Sequence, residues 1–184
     1  SGAVGLDHRI GKAYLKGAIG YGGPCFPRDN VAFAKMARSL GLEAPIAEVV
    51  DRYNNEQVGT LVELVSDYCP STGNVGILGL SYKPQTDVIE KSQAVEVGRQ
   101  LADRGYSVRA CDPLAAQAHH QTLSQFMQLE KNPTRCIAEA NVIVLATPWQ
   151  EFKECERDIE NALQRGAYLI DCWRLFQHKL GGHD

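Results

Sequence analysis

Two amphipathic helices are predicted in the first third of the chain. Residues 30–40 place apolar side chains at helical spacing, and Gly41 follows where a helix commonly ends. A longer apolar stripe begins after Pro45, a residue type favoured in the first turn of a helix, and continues to about Tyr68. At ~1.5 Å of rise per residue, this second helix would be a rod of roughly 35 Å. Such a helix can connect two domains, and its stripe offers a surface to a second copy.

The remainder of the chain alternates short apolar runs with helical patterns. The runs predicted as strands are residues 75–79, 107–111, 141–147 and 167–171. The segments between them are predicted as helical at 92–104, 134–140 and 151–165, and as helical or mixed at 115–130. Strands that alternate with helices form a parallel sheet with right-handed crossovers. We therefore predict an α/β fold with a Rossmann-like parallel sheet in residues 71–184, preceded in residues 1–70 by a helical segment and the long connecting helix.

Polar and aromatic residues follow each predicted strand, at the edge where such sheets bind ligands. These strand ends are residues 79–83, 112–113, 147–149 and 171–174. Lys83 and Arg174 suit phosphate groups, and Asp112 stands where a ribose-binding acid can lie. The first strand carries Gly76-x-x-Gly79 instead of the spaced G-x-G-x-x-G fingerprint. The pattern therefore indicates a nucleotide-type fold without identifying the nucleotide.

Composition narrows the class of protein. The chain has 184 residues, of which 44% are hydrophobic and 22% charged, as in an ordinary globular protein. Its net charge of −3 gives no basis for binding nucleic acid or an anionic membrane, and no apolar run approaches the ~20 residues that span a bilayer. The six cysteines are scattered, without the close pairs of a zinc site. We therefore expect no metal site and a reducing, cytoplasmic setting.

The segment from Gly20 to Asp29 holds the most distinctive chemistry. Three glycines, two prolines and Cys25 lie within residues 20–27, which predicts a rigid, exposed turn. An exposed cysteine suits a nucleophile. Asp29 is predicted as the N-cap of the 30–40 helix, whose positive end favours a thiolate nearby. The alternative is a Gly/Pro loop that contains a structural cysteine, and local chemistry alone leaves both interpretations open.

Several segments, taken in order along the chain, resemble one family. They are residues 7–11, 14–29, 76–83, 86–87, 112–113, 147–149 and 171–174. Through them, nearly the whole chain resembles the UDP-glucose 6-dehydrogenases of the UDP-glucose/GDP-mannose dehydrogenase superfamily. The resemblance implies an NAD-binding domain, a central helical domain that forms a homodimer, and a C-terminal Rossmann-like domain that binds the UDP-sugar. This chain is expected to hold the end of the central domain, the linking helix and the C-terminal domain, without the NAD-binding domain.

The reaction that the resemblance implies is the NAD-dependent, four-electron oxidation of UDP-glucose to UDP-glucuronate. Cys25 would form a thiohemiacetal and then a thioester at C6, and Asp29 would position or activate water. NAD would be bound mainly by the missing N-terminal domain. By the same resemblance, Arg28 would stand close to the cofactor, where the family usually has lysine. Glu90 occupies a position usually held by a cofactor-contacting arginine and would repel a pyrophosphate, unless Lys91 substitutes for that arginine. The chain by itself is therefore expected to bind UDP-sugar and to be inactive.

The resemblance also implies a set of substrate contacts. They are Arg9, Lys16, Gly17, Tyr21, Gly22, Gly23, Phe26, Tyr82, Lys83 and Arg174. The last three would contact the uridine diphosphate from the C-terminal domain, and Arg9 would reach the sugar site of the neighbouring subunit. Lys16 and the backbone from Gly17 to Gly23 would hold the sugar and the phosphates, and Phe26 would line the sugar pocket.

Two other interpretations stay open. A GDP-mannose or UDP-N-acetylhexosamine 6-dehydrogenase would share the fold, but such enzymes usually have a Ser-Ser or Gly-His pair before the cysteine instead of Gly23-Pro24. The alternative outside enzymes is a non-catalytic nucleotide-binding or dimerisation module, and Glu90, at the position of the family's cofactor-contacting arginine, is compatible with it. Stabilisation by GDP but not by UDP would exclude the main assignment. The absence of any response to nucleotides would favour the second alternative, or would show that the missing domain is needed for binding.

Overall fold

The computed structural model describes residues 1–13, 15 and 17–176. Lys16, one of the expected substrate contacts, lies outside the described residues. A short 3₁₀ turn at Val4–Leu6 precedes the irregular segment that leads into the cysteine turn. No helix among the described residues is long and apolar enough to cross a membrane.

Helix α1 spans Phe26–Ser39 and begins before the predicted start at residue 30. Cys25, and not Asp29, is its N-cap residue, and Asp29 lies within the first turn. The reason is Pro27, since a proline in the first turn costs no helical hydrogen bond: the N–H that it lacks would have no partner there. The prediction of Asp29 as the N-cap is therefore wrong, and the cysteine lies closer to the helix end than expected.

Helix α2 spans Pro45–Tyr68, which confirms the long helix predicted to begin at Pro45. Its first half packs on α1 through small side chains, and the buried residues of this contact are Ala34, Ala37, Ala44 and Ala47. The large apolar residues of both helices lie on other faces and are exposed; they include Phe33, Met36, Leu40, Ile46, Val49, Val50 and Tyr53. The second half of α2 belongs to the core of the sheet, through Val58, Leu61, Val62 and Val65.

Parallel strands form one sheet in the order β3-β2-β1-β4-β5. Their bounds are Asn74–Leu78 (β1), Ser107–Cys111 (β2), Gln128–Leu129 (β3), Val142–Leu145 (β4) and Tyr168–Asp171 (β5). The predicted strands are confirmed. β3 is an additional strand, in a segment predicted as helical or mixed. It is not predicted because two residues are too few to show the alternation of apolar and polar positions that is typical of a strand. The strand order reverses between β1 and β4, so the ligand crevice of such a fold lies at their carboxyl ends.

Helices cover both faces of the sheet. Their bounds are Gln93–Asp103 (α3), Ala115–Ala118 (α4), His120–Leu123 (α5), Pro133–Ala138 (α6) and Glu156–Gln164 (α7). α2 and α3 share one core with the sheet, and α6 and α7 share the other. The single helix predicted over 151–165 is divided, because a 3₁₀ segment at Gln150–Cys155 precedes α7. The α/β fold with a Rossmann-like parallel sheet is confirmed.

Candidate active site

Cys25 is exposed at the N-terminus of α1, unlike the other cysteines of the described chain. Those others are buried or half-buried: Cys69, Cys111, Cys136, Cys155 and Cys172. Burial raises the pKa of Cys155 to about 11 and that of Cys172 to about 12, so both stay protonated at neutral pH. The positive end of a helix favours an anion close to it. Cys25 is therefore an accessible thiol at a helix end, and not a core residue.

Charged side chains lie around this thiol. Arg28 and Asp29 form an exposed ion pair, in which the Arg28 Nε–H donates to Asp29 Oδ1 at 3.0 Å. This bond raises the pKa of Arg28, and the nearby groups of Cys25 and Glu90 add to the effect. Cys25 and Glu90 are therefore close enough to Arg28 for their charges to interact with its guanidinium.

The cysteine turn packs on the loop that follows β1. The Gly23 N–H donates to the carbonyl oxygen of Glu90 at 2.9 Å. A Cβ at Gly23 would lie 2.6 Å from the Tyr82 ring, and one at Gly22 would collide with the carbonyl oxygen of Lys91. Gly23 also has a φ of 84°, which other residues rarely adopt. Close contact thus requires both glycines, and it brings Tyr82 to the cysteine turn.

Asp112, at the end of β2, is buried and bonded through both of its oxygens. Its Oδ2 accepts the N–H groups of Leu80 and Ser81, at 2.7 and 2.9 Å, together with the Ser81 hydroxyl and the Trp149 indole N–H. Its Oδ1 accepts the N–H groups of residues 114 and 115, at 2.9 and 2.7 Å. The carboxylate therefore fixes the loop after β1, and its oxygens are not free for a ribose as the sequence pattern suggested.

Lys83 and Arg174 lie beyond the carboxyl ends of β1 and β5, and both are exposed. The Nζ of Lys83 lies 5.4 Å from the centroid of the half-buried Tyr82 ring, within cation–π distance. Next to Arg174, the Trp173 indole N–H donates to the Ala146 carbonyl oxygen at 2.9 Å and fixes the ring at this edge. A cavity of about 20 Å³ separates this edge from the cysteine turn; its lining includes Gly20, Gly22, Ser81, Tyr82, Gln93 and Trp173.

The remaining expected contacts are less closely grouped. Phe26 is exposed and meets the Tyr21 ring edge-on, with 6.2 Å between centroids. Gly17 is exposed. The guanidinium of Arg9 donates twice to Asp7, at 3.0 and 2.6 Å, which lowers the pKa of that carboxylate. Within the described part of the chain, no hydrogen bond or ion pair joins the Arg9 side chain to the cysteine turn.

A larger groove, of about 800 Å³, lies beside Arg28 between α1, α2 and the start of α3. It carries both signs of charge, with the cations Arg28, Lys35 and Lys91 and the acids Asp51, Glu90 and Glu96. Asn54 and Gln93 also line it, and neither was singled out from the sequence. The available signal was the position of Asn54, a polar residue midway between Val50 and Val58 in the apolar stripe of α2.

Comparison with protein families finds two matches. Residues 1–56 match the central domain of the UDP-glucose/GDP-mannose dehydrogenase family, and residues 76–178 match the UDP binding domain of the same family. The first match contains the cysteine turn, and the second contains the parallel sheet from the middle of β1 onwards.

Similar proteins carry related names. A putative UDP-glucose 6-dehydrogenase of Bacillus subtilis is 35% identical over 93% of this chain, and a UDP-glucose 6-dehydrogenase of Haloferax volcanii is 31% identical over 97% of it. These matches extend over 40% and 41% of the relatives, so the chain spans about two fifths of their length.

Solved structures agree with the same architecture. The UDP-glucose dehydrogenase of the archaeon Pyrobaculum islandicum superposes with a TM-score of 0.85 at 32% identity, over 97% of this chain and 40% of that one. The GDP-mannose dehydrogenase of Pseudomonas aeruginosa superposes with a TM-score of 0.77 at 26% identity, over 93% of this chain and 41% of that one.

Proposed function

Because the chain belongs to the UDP-glucose/GDP-mannose dehydrogenase family, we propose that it carries the nucleophile and the nucleotide site of a UDP-glucose 6-dehydrogenase. The observation that carries the proposal is the contact between the turn of an exposed thiol and the ligand edge of a parallel sheet. Gly23 bonds to the loop after β1, and Tyr82 of that loop lies against the same turn. A nucleotide sugar bound at this edge has its sugar directed towards Cys25.

The diphosphate is bound by Lys83 and Arg174 in this proposal. Both side chains are exposed at the carboxyl ends of strands, where doubly wound sheets bind nucleotides, and arginine can bind a phosphate through two parallel bonds. The description of the family match over the sheet as a UDP binding domain supports uridine as the nucleoside. The names of the relatives and of the Pyrobaculum structure support glucose as the sugar.

Cys25 acts in the second of two oxidations. The C6 alcohol is first oxidised to an aldehyde, and the Cys25 thiolate adds to the aldehyde carbon to form a thiohemiacetal. Loss of a hydride from that carbon and of the proton from its hydroxyl group leaves a thioester, which water hydrolyses to the carboxylate and the free thiolate. The exposure of the thiol and its place at the positive end of α1 support this role. Asp29, in the first turn of α1, positions the water.

NAD is the cofactor of the proposed reaction, and Arg28 is the described residue suited to hold it. Its guanidinium is exposed, and it lies near enough to Cys25 for the charges of the two groups to interact. When bound, NAD would accept the hydride of each oxidation. Glu90 opposes a second pyrophosphate contact, since it stands where the family usually has arginine and lies near Arg28. The remaining cofactor contacts therefore come from the part of the relatives that this chain does not match.

A second copy of the chain is the proposed protein partner. α1 and α2 bury only alanines between them and leave large apolar side chains exposed, among them Ile46 at 80% and Tyr53 at 63%. An exposed apolar face of this kind is typical of an interaction surface. In a homodimer, Arg9 reaches the sugar site of the other subunit, as the resemblance implies.

The proposed nucleotide specificity is tested by thermal denaturation of the full-length protein with UDP, UDP-glucose or GDP. A ligand present at 100 times its dissociation constant adds about 2.7 kcal/mol to the free energy of unfolding. We expect stabilisation by UDP and UDP-glucose and not by GDP. Stabilisation by GDP alone would assign the chain to the GDP-mannose branch, and the absence of any response would favour a module without a nucleotide ligand.

A further inference from the structure

Asn54 is a buried polar residue in the middle of α2, with 8% of its surface exposed. Its side-chain amide bonds to both backbone groups of Tyr21, which is distant in sequence. Oδ1 accepts the Tyr21 N–H at 2.8 Å, and the Nδ2–H donates to the Tyr21 carbonyl oxygen at 2.9 Å. A buried amide is costly unless it is hydrogen-bonded, and here its bonds go to the cysteine turn.

Gln93, the first residue of α3, fixes the orientation of that amide. Its Nε2–H groups donate to the backbone carbonyl oxygen of Asn54 at 3.0 Å and to the side-chain Oδ1 of Asn54 at 3.2 Å. Because Oδ1 accepts from both Gln93 and Tyr21, a flipped Asn54 amide would place its NH₂ group against two donors. The cysteine turn, the connecting helix and the sheet domain are thereby joined through one pair of side-chain amides.

The space around the pair is closed on the side of the turn. A Cβ on Gly20 would collide with Asn54 Oδ1 and Gln93 Nε2, and would lie 2.7 Å from Gln93 Oε1. Gln93 Oε1 has no hydrogen-bond partner among the described residues, and Gln93 lines the cavity of about 20 Å³ beside the strand ends. A cavity of that volume has room for about one water molecule, which can complete the bonding of Oε1.

We propose that Asn54 and Gln93 are positioning residues, which hold the backbone at Tyr21 and thereby set where Cys25 stands relative to the strand-end site. Hydrogen bonds hold the turn from two sides. The Gly23 N–H bond to Glu90 holds it from the loop after β1, while the Asn54 amide holds it from α2. The catalytic consequence rests on the proposed function, but the hold on the turn does not.

The first test is amide hydrogen exchange in the full-length protein with Asn54→Ala. Losing the acceptor of the Tyr21 N–H should speed exchange in a peptide spanning residues 17–25 by ~10-fold. Asn55→Ala is the matched control, because it removes the same side chain at the next position of α2, where the amide bonds only to Asp51 among the described residues. Unchanged exchange in Asn54→Ala, or equal acceleration in Asn55→Ala, would overturn the proposal.

The second test separates positioning from a general loss of structure. If Cys25 performs the second oxidation, Asn54→Ala should lower kcat for acid formation by ~10-fold or more, because a nucleophile displaced by about 1 Å reacts far more slowly. KM for UDP-glucose should stay within about twofold, since Lys83 and Arg174 are untouched. A fall in kcat accompanied by a rise in KM of the same factor would show a structural role alone. A wild-type protein that makes no acid would refute the proposed function, and the exchange experiment would still decide the positioning role.

Two further variants keep the inference testable if Asn54→Ala does not fold. Gln93→Met removes the bonds that orient Asn54 while leaving those from Asn54 to Tyr21, so it should speed exchange at the turn by a smaller factor. Gly20→Ala should disturb the same turn by steric contact. Exchange at the wild-type rate in both variants would contradict the proposal. If Asn54→Ala folds, the effects of Gly20→Ala and Asn54→Ala on exchange should not add fully, because residues in contact are coupled. Full additivity of the two effects would also contradict the proposal.

Discussion

At the scale of single residues, the cysteines divide by environment. Cys25 is exposed at a helix N-terminus, whereas the rest are covered by the two cores or by the sheet. Removing a thiol from water disfavours its charged form, which is why burial raises the pKa of Cys155 to about 11 and of Cys172 to about 12. Selective chemistry at Cys25 follows from this difference.

Alkylation with iodoacetamide at pH 8 should therefore modify Cys25 first, followed with a long delay by the buried thiols. The thiolate is the reacting species, and the thiolate fraction of Cys155 and Cys172 becomes large only as the pH rises towards their raised pKa values. Peptide mass spectrometry over time measures the order. Unfolded protein, in which all cysteines react, is the control, and early modification of Cys172 in the folded protein would be inconsistent with the structure.

At the scale of elements, the loop after β1 is the part that joins the sheet to the cysteine turn. Its first residues are held by Asp112, and its end is held by the Gly23 bond to Glu90. The loop also carries Tyr82 and Lys83. The start of the loop therefore depends on one buried carboxylate from a neighbouring strand, and its end depends on the cysteine turn.

Asp112→Asn should lower the free energy of unfolding by about 2–4 kcal/mol. Both carboxylate oxygens accept N–H groups, so either orientation of an asparagine amide places its NH₂ against donors. Urea denaturation gives the measurement. Asp103→Asn, at an exposed ion pair with Arg99, is the matched control and should change stability by less than about 1 kcal/mol. A stable Asp112→Asn variant would mean that the carboxylate does not hold the loop.

At the scale of the whole molecule, α1 and α2 together form an exposed apolar face that fits a protein interface. Alanine contacts bring these helices close together and leave their larger side chains without cover within the described chain. We propose that a second copy of the chain packs against this face. The relatives are also longer than this chain, which matches about two fifths of their length.

Ile46→Glu should weaken the proposed homodimer by ~100-fold in dissociation constant, because it places a charge within an apolar interface. Ile46 is 80% exposed in the single chain, so replacing its side chain should change the stability of the monomer little. Light scattering after size-exclusion chromatography of the full-length protein measures the mass. Leu114→Glu, on the sheet domain and 45% exposed, is the control. A dimer that persists unchanged in Ile46→Glu would contradict the assignment of this face.

Sequence patterns predict the parts of this fold that are long or periodic, and they miss those that depend on distant contacts. Pro45 and the stripe after it are enough for α2. The start of α1 is missed because Cys25, Phe26 and Pro27 have the composition of a turn, although proline fits a first helical turn. The role of Asn54 cannot be read locally, since its partner Tyr21 is brought to it only by the fold.

The proposed site follows the same division. Lys83, Arg174 and the cysteine turn were predicted from strand ends and from glycine and proline content. The sequence position of Asp112 fits a nucleotide ligand as well as a loop anchor, so the sequence alone does not separate the two roles of its carboxylate. Only the positions of the donors around it show that both oxygens are occupied within the chain.

The most direct measurement of the central claim is the rate of acid formation by full-length protein with Cys25→Ser. The variant is supplied with UDP-glucose and NAD, and UDP-glucuronate is followed by mass spectrometry alongside the wild type. The account predicts a rate lower by ~10³-fold, with UDP-glucose binding kept within about twofold, because the thiolate is needed for the second oxidation and not for the nucleotide. Formation of the acid at the wild-type rate would contradict it and would leave Cys25 without a catalytic role.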